Sequence, residues 1–236
     1  MSTPLTTERS RRIWRRAAGQ YDRVMSVSER LLAFRQGRAW ACGEARGDVL
    51  EIAIGTGRNL PYYPETVHVT GIDLSPEMLA VARRRAAAMG GRVELREADA
   101  TSLPFPDAHY DTVICTLALC SIPDPVAAVR EALRVCRPDG RLRFFEHGLA
   151  SSRAVVLVER ILEPLTLRVE GDRLTQRPDA VLRSAGADIL EVGRTTAGIC
   201  WRLLAAPARP SGDGGRGVAP TGAARPGSST RSTRRR

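Results

Sequence analysis

Several residues in this sequence stand where an apolar run gives way to a turn, and their types could together hold one small polar ligand. The stretch "VLEIAIGTGRNL" ends on Gly55 and Gly57. Glycine there lets the chain turn tightly and lets a ligand lie against bare backbone. "VTGID" ends on Asp73, a carboxylate able to accept hydrogen bonds from two adjacent ribose hydroxyls. Leu74 and Met78 follow it with apolar surface. "RVELREADA" brings Asp99 and Ala100, an acceptor for an exocyclic amine beside a small apolar side chain. "RLRFFEH" closes on His147, next to Glu146, and an imidazole's near-neutral pKa suits proton removal. The bland alternative for His147 is a strand end bonded to a backbone carbonyl. A single aspartate at such a place is as often a turn or cap residue. Suggestive residues in order, at consecutive strand ends, are far more specific.

The elements that must position these residues are legible from hydrophobic periodicity. Residues 8–45 read as helical, with Trp14, Ala17, Ala18 and Tyr21, then Val27, Leu31 and Phe34, at helical spacing. From "VLEIAI" onward, strands and helices alternate. "GRNLPYYP" is expected to open a helix whose unpaired N–H groups would face an anion. "VHVTGIDL" is the second strand. "SPEMLAVARRRAAAMGG" is a helix with Ser75 as N-cap, Pro76 first, and Gly90 and Gly91 past its end. "RVELREADA" and "YDTVICTLAL" are the third and fourth strands. "DPVAAVREALRVC" is a helix capped by Asp124 and ended by a turn at "RPDG", and "RLRFFEHG" is the fifth strand. Residues 151–163 read as helix, 164–174 as loop, "TQRPDAVLRSAG" as a short helix, and "DILEV" and "CWRLLAA" as a closing strand pair. The alternation predicts an α/β fold, a doubly wound, Rossmann-like, mostly parallel seven-stranded sheet with an antiparallel edge strand. In such a sheet, ligands bind beyond the carboxyl ends of the strands, where Gly55, Asp73, Asp99 and Leu117 fall.

Composition sets limits on partners. The chain has 236 residues and a net charge of +10, and all 36 basic residues are arginine. Residues 8–16 hold five Arg and one Glu, and residues 207–236 hold seven Arg and one Asp, which leaves 17–206 with 24 basic and 24 acidic side chains. That balanced middle argues against a basic nucleic-acid groove. Residues 207–236 are too poor in large apolar side chains to offset their ordering entropy and read as a disordered Arg-rich tail. Peripheral contact of the tail with an acidic membrane surface is one expectation, and a solvated tail without a role is the plainer one. The expected organisation is an N-terminal helical cap at 1–45, a ligand-binding domain at 46–206 and the tail at 207–236. No apolar run reaches the roughly 18 residues of a membrane span. The basic N-terminus lacks the apolar segment of a signal peptide, so a cytoplasmic protein is expected. Cys42, Cys115, Cys120, Cys136 and Cys200 make no C-x-x-C pair, so no metal site is expected. Oligomeric state is not encoded in these patterns.

The dinucleotide fingerprint G-x-G-x-x-G fails at Leu60. The spacing is instead E-x-G-x-G-x-G, headed by Glu51, with Ala53 in place of the first glycine. Together with "VTGIDLSPEML", "EADATSLPFPDAHYDTVICTLALCSI" and "ALRVCRPDGRLRFFEH", it resembles the class I S-adenosylmethionine-dependent methyltransferases over about residues 10–205. "YDRVM" and "SLPFPDAHYDTV" resemble the branch that methylates quinone precursors and phosphatidylethanolamine. "CTLALCSIPDP", "FFEHG" and "ERILEPL" are similar to the methyltransferase-like thiol S-methyltransferases, although "EGDRLTQRP" lacks a His and Cys found in some of them. The resemblance implies S-adenosyl-L-methionine as cofactor. Glu51 would lie near its amino group, with Ala53, Gly55 and Gly57 beneath its methionine moiety. Asp73 would hold the ribose, flanked by Leu74 and Met78, and Asp99 and Ala100 would contact adenine. Leu117 would complete the site at the end of the fourth strand. The implied activity is methyl transfer to a small, hydrophobic acceptor, a thiol first. A quinone-precursor carbon or a phosphatidylethanolamine amine is the alternative, and a protein that holds the cofactor without catalysis is the rival. His147 would be the base, and residues 151–174 with the helix near Tyr21 would form the lid.

Overall fold

The computed structural model describes residues 5–31, 34–196 and 198–208. The tail expected to be disordered lies, from residue 209 onward, outside the described residues. Three helices come first: α1 (Thr7–Ala17), α2 (Tyr21–Leu31) and α3 (Phe34–Cys42). Then follow β1 (Asp48–Ile52), β2 (His68–Asp73), α4 (Pro76–Ala86), β3 (Val93–Glu97), β4 (Tyr110–Thr116), α5 (Pro125–Val135), β5 (Cys136–His147), α6 (Arg153–Val169), α7 (Pro178–Ala185), β6 (Ala187–Thr195) and β7 (Cys200–Pro207).

The strands form one seven-stranded sheet in the order β3-β2-β1-β4-β5-β7-β6. β1 pairs in parallel with β2 on one side and β4 on the other. The antiparallel strand expected near the edge is β7, which lies between β5 and the edge strand β6 and runs against both. Strand order reverses between β1 and β4, so their connections leave on opposite faces and open a crevice at the carboxyl ends.

Strands covered on both faces read as near-continuous apolar runs, and β1 and β4 are such strands. Leu50, Ile52, Val113, Leu142 and Phe144 pack on one face against Val129, Ala132 and Val135 of α5 and Leu182 of α7. Val49, Ile114 and Phe145 pack on the other against Phe34, Ala41 and Cys42 of α3 and Leu79 of α4. Each large side chain buried this way stabilises the fold by about 2 kcal/mol relative to exposure. All five cysteines are buried free thiols.

Local chemistry sets the helix starts. The Ser75 hydroxyl accepts from the Met78 N–H, with Pro76 first in α4. The Asp124 carboxylate accepts from the Ala127 N–H, with Pro125 first in α5. The helix expected from "GRNLPYYP" does not form. Residues 55–59 are turns, and only a short 3-10 turn, Leu60–Tyr62, follows. Pro61 and Pro64 are the reason, since each removes an N–H donor and restricts the residue before it. The loop expected at 164–174 is also corrected. α6 runs on through Pro164 to Val169, with the Thr166 hydroxyl donating to the Glu163 carbonyl just past the proline. The expected "RPDG" turn is the start of β5.

α3 lies close on β5 because Gly37 faces the Phe145 ring, which meets Phe34 edge-to-face at a centroid distance of 5.9 Å. A methyl at residue 37 would overlap that ring. Gly37→Ala is therefore expected to destabilise the protein by about 1–3 kcal/mol through overpacking. Gly19→Ala, whose added methyl meets nothing within 4 Å, should stay within about 0.5 kcal/mol. Urea midpoints at unchanged slope measure both.

Candidate active site: a strand-end cleft and an apolar cavity

The crevice between the ends of β1 and β4 is a narrow cleft. Its floor includes three residues in the left-handed region: Ala53 (φ 53°), Gly55 (φ 58°) and Leu117 (φ 54°). For a side chain bearing a Cβ this conformation costs about 1–2 kcal/mol. Buried carboxylates from neighbouring strands hold these turns. Asp73 at the end of β2 accepts from the Gly55 N–H at 2.9 Å and from the Ser75 N–H at 2.9 Å. Glu146 of β5 accepts from the Ala118 and Leu119 N–H groups at 2.9 and 3.2 Å. Burial raises the Asp73 carboxyl to about 6 and the Glu146 carboxyl to about 7.

Eight of the ten cofactor-site residues expected from the sequence line this one cleft: Ala53, Gly55, Asp73, Leu74, Met78, Asp99, Ala100 and Leu117. Glu51 and Gly57 lie outside it. Glu51 is buried beneath the turn, accepting from the Asn59 amide at 2.7 Å and the Tyr63 hydroxyl at 2.8 Å. Burial pushes its carboxyl up to about 7. Gly57 (φ 78°) serves packing, because a Cβ there would meet Leu60 at 2.9 Å and Ala82 of α4 at 3.4 Å. Gly55 is the open one. A Cβ there would meet nothing nearer than the Ala53 carbonyl at 4.0 Å, so its backbone presents bare surface to the cleft.

The donor and acceptor chemistry of the cleft fits an adenosyl ligand. Asp73 supplies a deep carboxylate for vicinal hydroxyls. Asp99 anchors its Oδ1 on the Thr101 N–H at 2.9 Å, while its Oδ2 has only a long contact of 3.4 Å with the Thr7 hydroxyl. Met78, Ala98, Ala100 and Ile122 give apolar walls for a planar base. An anion at the expected helix N-terminus after β1 has no counterpart, since that helix is absent.

A second, larger cavity of about 690 Å³ adjoins the cleft. Trp14, Tyr21, Leu117 and Ser121 line both, so the two spaces meet there. The walls of the second cavity are mostly apolar, among them Ile13, Met25, Phe34 and Ile199, and its polar floor is His147 with Asp172. His147 Nε2 lies 3.2 Å from Asp172 Oδ1. Burial works against the imidazolium, but the Asp172 and Glu146 carboxylates outweigh it and the His147 pKa moves up. Burial likewise opposes the Asp172 carboxylate, and its imidazole partner outweighs that, so its pKa moves down. The fold also gathers Cys120 Sγ here, within 4.8 Å of the His147 and Asp172 ligand atoms, a grouping that sequence spacing did not anticipate. Burial keeps the Cys120 thiol protonated. Asp172 was not singled out from the sequence. It lies beyond α6 in a glycine-aspartate turn that carries no motif, and only the fold returns it to the end of β5.

α1 and α2 close over the cleft. Ser10 donates to the Ser121 carbonyl at 3.4 Å, and Arg11 donates to the Leu74 carbonyl at 3.4 Å. Asp22 of α2 accepts from the Thr56 hydroxyl at 2.8 Å and pairs with Arg85 at 2.6 Å. Glu29 pairs with Arg38 at 3.0 Å and with Arg58. Two of these partners, Thr56 and Arg58, belong to the glycine turn itself.

Comparison with known proteins agrees with this architecture. The family described as "Methyltransferase domain" matches residues 50–144. A phosphatidylethanolamine N-methyltransferase of Cereibacter sphaeroides is 42% identical over 118 residues, covering 49% of this chain and 58% of that protein. A demethylmenaquinone methyltransferase of Thermus thermophilus is 37% identical over 154 residues, covering 61% of this chain and 68% of that protein. A solved SAM-dependent methyltransferase from Thermotoga maritima superposes with a TM-score of 0.63, covering 84% of this chain and 99% of that one, and at 19% identity it shows the shared fold. The strand order, the carboxylates at successive strand ends and the extent of these matches agree: the chain belongs to the class I S-adenosylmethionine-dependent methyltransferases.

Proposed function

We propose that this protein transfers a methyl group from S-adenosylmethionine to a small hydrophobic acceptor whose reacting atom gives up a proton. The observation that carries the reading is the meeting of the two cavities at Trp14, Tyr21, Leu117 and Ser121, with His147 on the floor of the larger one. When bound, the cofactor supplies a methyl group on a sulfonium that is already an activated leaving group. What remains for the chain is to hold, align and dry the reactants. Asp73 accepts from the ribose hydroxyls, Asp99 from the adenine amine, and the Gly55 backbone lies against the methionine moiety. Trp14 and Tyr21 exclude water at the junction. His147 takes the acceptor's proton on Nδ1, while Asp172, paired with Nε2, steadies the imidazolium that forms.

A thiol suits this arrangement best. Its free pKa near 8.5 is within easy reach of an imidazole base, and the apolar walls favour an uncharged alkyl body. A quinone-precursor carbon or a phosphatidylethanolamine amine is the second reading, favoured by the named activities of the two relatives. Incubation with methyl-labelled cofactor and a panel of alkyl thiols, demethylated quinols and phosphatidylethanolamine separates the two by which product carries label. Label in none of them, with cofactor binding intact, would leave only a cofactor-holding protein.

Asp73→Ala should weaken binding of both the methyl donor and its demethylated product about 10- to 100-fold, the loss of a hydrogen bond to a charged group. In the unaltered protein the same affinity should fall as pH drops through about 6, where Asp73 takes up a proton. Calorimetry across pH reads both effects, and equal heats for the two proteins would remove Asp73 from the site. For turnover, a base must be neutral, so kcat/KM should rise with pH through a value above 6.5. Asp172→Asn removes the charge that raises His147 and leaves burial dominant, so that limb should move to lower pH. In His147→Gln the limb should vanish, with turnover down about 10²- to 10⁴-fold. An unchanged profile in both variants would remove His147 as the base.

A further inference from the structure

α6 is built inside out. Its one buried residue is Glu159, while Leu157, Val158, Ile161, Leu162, Leu165 and Val169 are 45% to 67% exposed. At 3.6 residues per turn these six side chains share one stripe about 140° wide. Glu159, Glu163 and Thr166 occupy the opposite side and face the protein. Glu159 accepts from the Ala150 N–H at 3.1 Å, and Glu163 accepts from the Thr175 N–H and hydroxyl at 2.6 Å. Both carboxylates of the helix are thus turned inward. The charges left outside are all positive: Arg153 and Arg160 along one edge of the stripe and Arg168 near its C-terminal end. None of the three has a carboxylate within ion-pair distance among the described residues. A wide apolar stripe edged by arginines matches a helix lying in the plane of a lipid interface, its apolar side in the acyl boundary and its guanidinium groups among phosphates.

Two other occupants fit less well. Residues 209–236 contain a single large apolar side chain, Val218, and cannot cover the stripe. A second copy packed stripe to stripe would bring like-charged arginines together without a compensating carboxylate. The stripe also leads to the larger cavity, since Arg168 and Val169 at its end line that cavity with Arg12 and Arg16 of α1.

We propose that α6 docks the protein on an anionic phospholipid surface, with the mouth of the apolar cavity toward the lipid. The docking does not depend on the acceptor atom; only its link to acceptor entry rests on the methyltransferase reading. The test is co-sedimentation of the full chain with vesicles of phosphatidylcholine alone or mixed with phosphatidylglycerol, at several salt concentrations. The full chain should bind the mixed vesicles, weaken as salt rises, and bind neutral vesicles at least tenfold more weakly. An Ile161→Glu, Leu165→Glu double variant should lose at least tenfold in binding to the mixed vesicles, with its circular dichroism and its heat of donor binding unchanged. Should the double variant not fold, Arg153→Ala with Arg160→Ala leaves the apolar stripe intact and should lower binding and flatten its salt dependence. Retained binding in the folded double variant, or in the arginine variant, would assign the attachment to another part of the chain and overturn the proposal. So would failure of the full chain to bind either vesicle, or a dimer in solution that the double variant breaks. Loss of donor heat in the unaltered protein would instead strike the methyltransferase reading and leave the lipid result standing.

Discussion

Buried carboxylates that accept from backbone N–H groups govern the working edge of this sheet. Each turn beyond a central strand is held by an acid from its neighbour. Asp73 of β2 holds the turn after β1, and Glu146 of β5 holds the turn after β4. Glu51 of β1, through Asn59 and Tyr63, props the loop that follows. A carboxylate in such surroundings loses much of its hydration, and burial lifts all three toward neutrality. Paired donors offset that loss, side-chain ones at Glu51 and backbone N–H groups at Asp73 and Glu146, and the latter fix the turns in conformations the chain would not choose unaided, left-handed at Ala53 and Leu117. The cleft exists because these turns cannot relax into it.

The same turn ties the N-terminal helices to the cleft. Thr56 and Arg58 flank Gly57, and both bond Asp22 of α2, while Arg58 also pairs with Glu29. Arg38 joins Glu29 to Asn59 and so to the loop under the turn. Burial opposes the charge on Asp22 and Glu29, yet their arginine partners outweigh it and both pKa values fall below the usual carboxylate range. Depressed carboxylates contribute stability above their unfolded pKa and lose it only as pH falls through the folded one, so this clamp is fully formed at neutral pH. The glycine turn and the helices above it therefore share one ion-pair network.

Strand order and most of the cleft were legible because a parallel sheet advertises itself. Its buried strands are near-continuous apolar runs such as 49–54, broken only by Glu51, its helices carry caps such as Ser75–Pro76, and the residues expected at the cleft fall at strand ends by topology. Local signals failed where a residue's partner is distant in sequence. Nothing beside Asp172 marks it as the partner of His147, because α6 intervenes. Glu51 sits in a motif position, yet its side chain is taken up by Tyr63 and Asn59. The missing helix after β1 was readable in hindsight from Pro61 and Pro64, whose lost donors outweigh the apolar spacing of "LPYY". The full length of α6 was not, since a proline usually ends a helix, and its apolar stripe stays 45% to 67% exposed among the described residues.

The division into two adjoining spaces explains why family membership is plain and the acceptor is not. Residues of the narrow cleft are fixed by strand-end geometry, so they leave a pattern in the sequence. The larger cavity is walled mostly by α1, α2, the end of α6 and the segment at Asp172, elements that lie outside the register of the sheet. Such walls can change shape without disturbing β1 or β4. In the proposed displacement the leaving group arrives already activated, so selectivity rests on what fills the apolar space and whether its reacting atom reaches the junction near Tyr21 and Leu117. In that proposal acceptor choice would live in apolar surface and in one imidazole, features that chain order records only faintly.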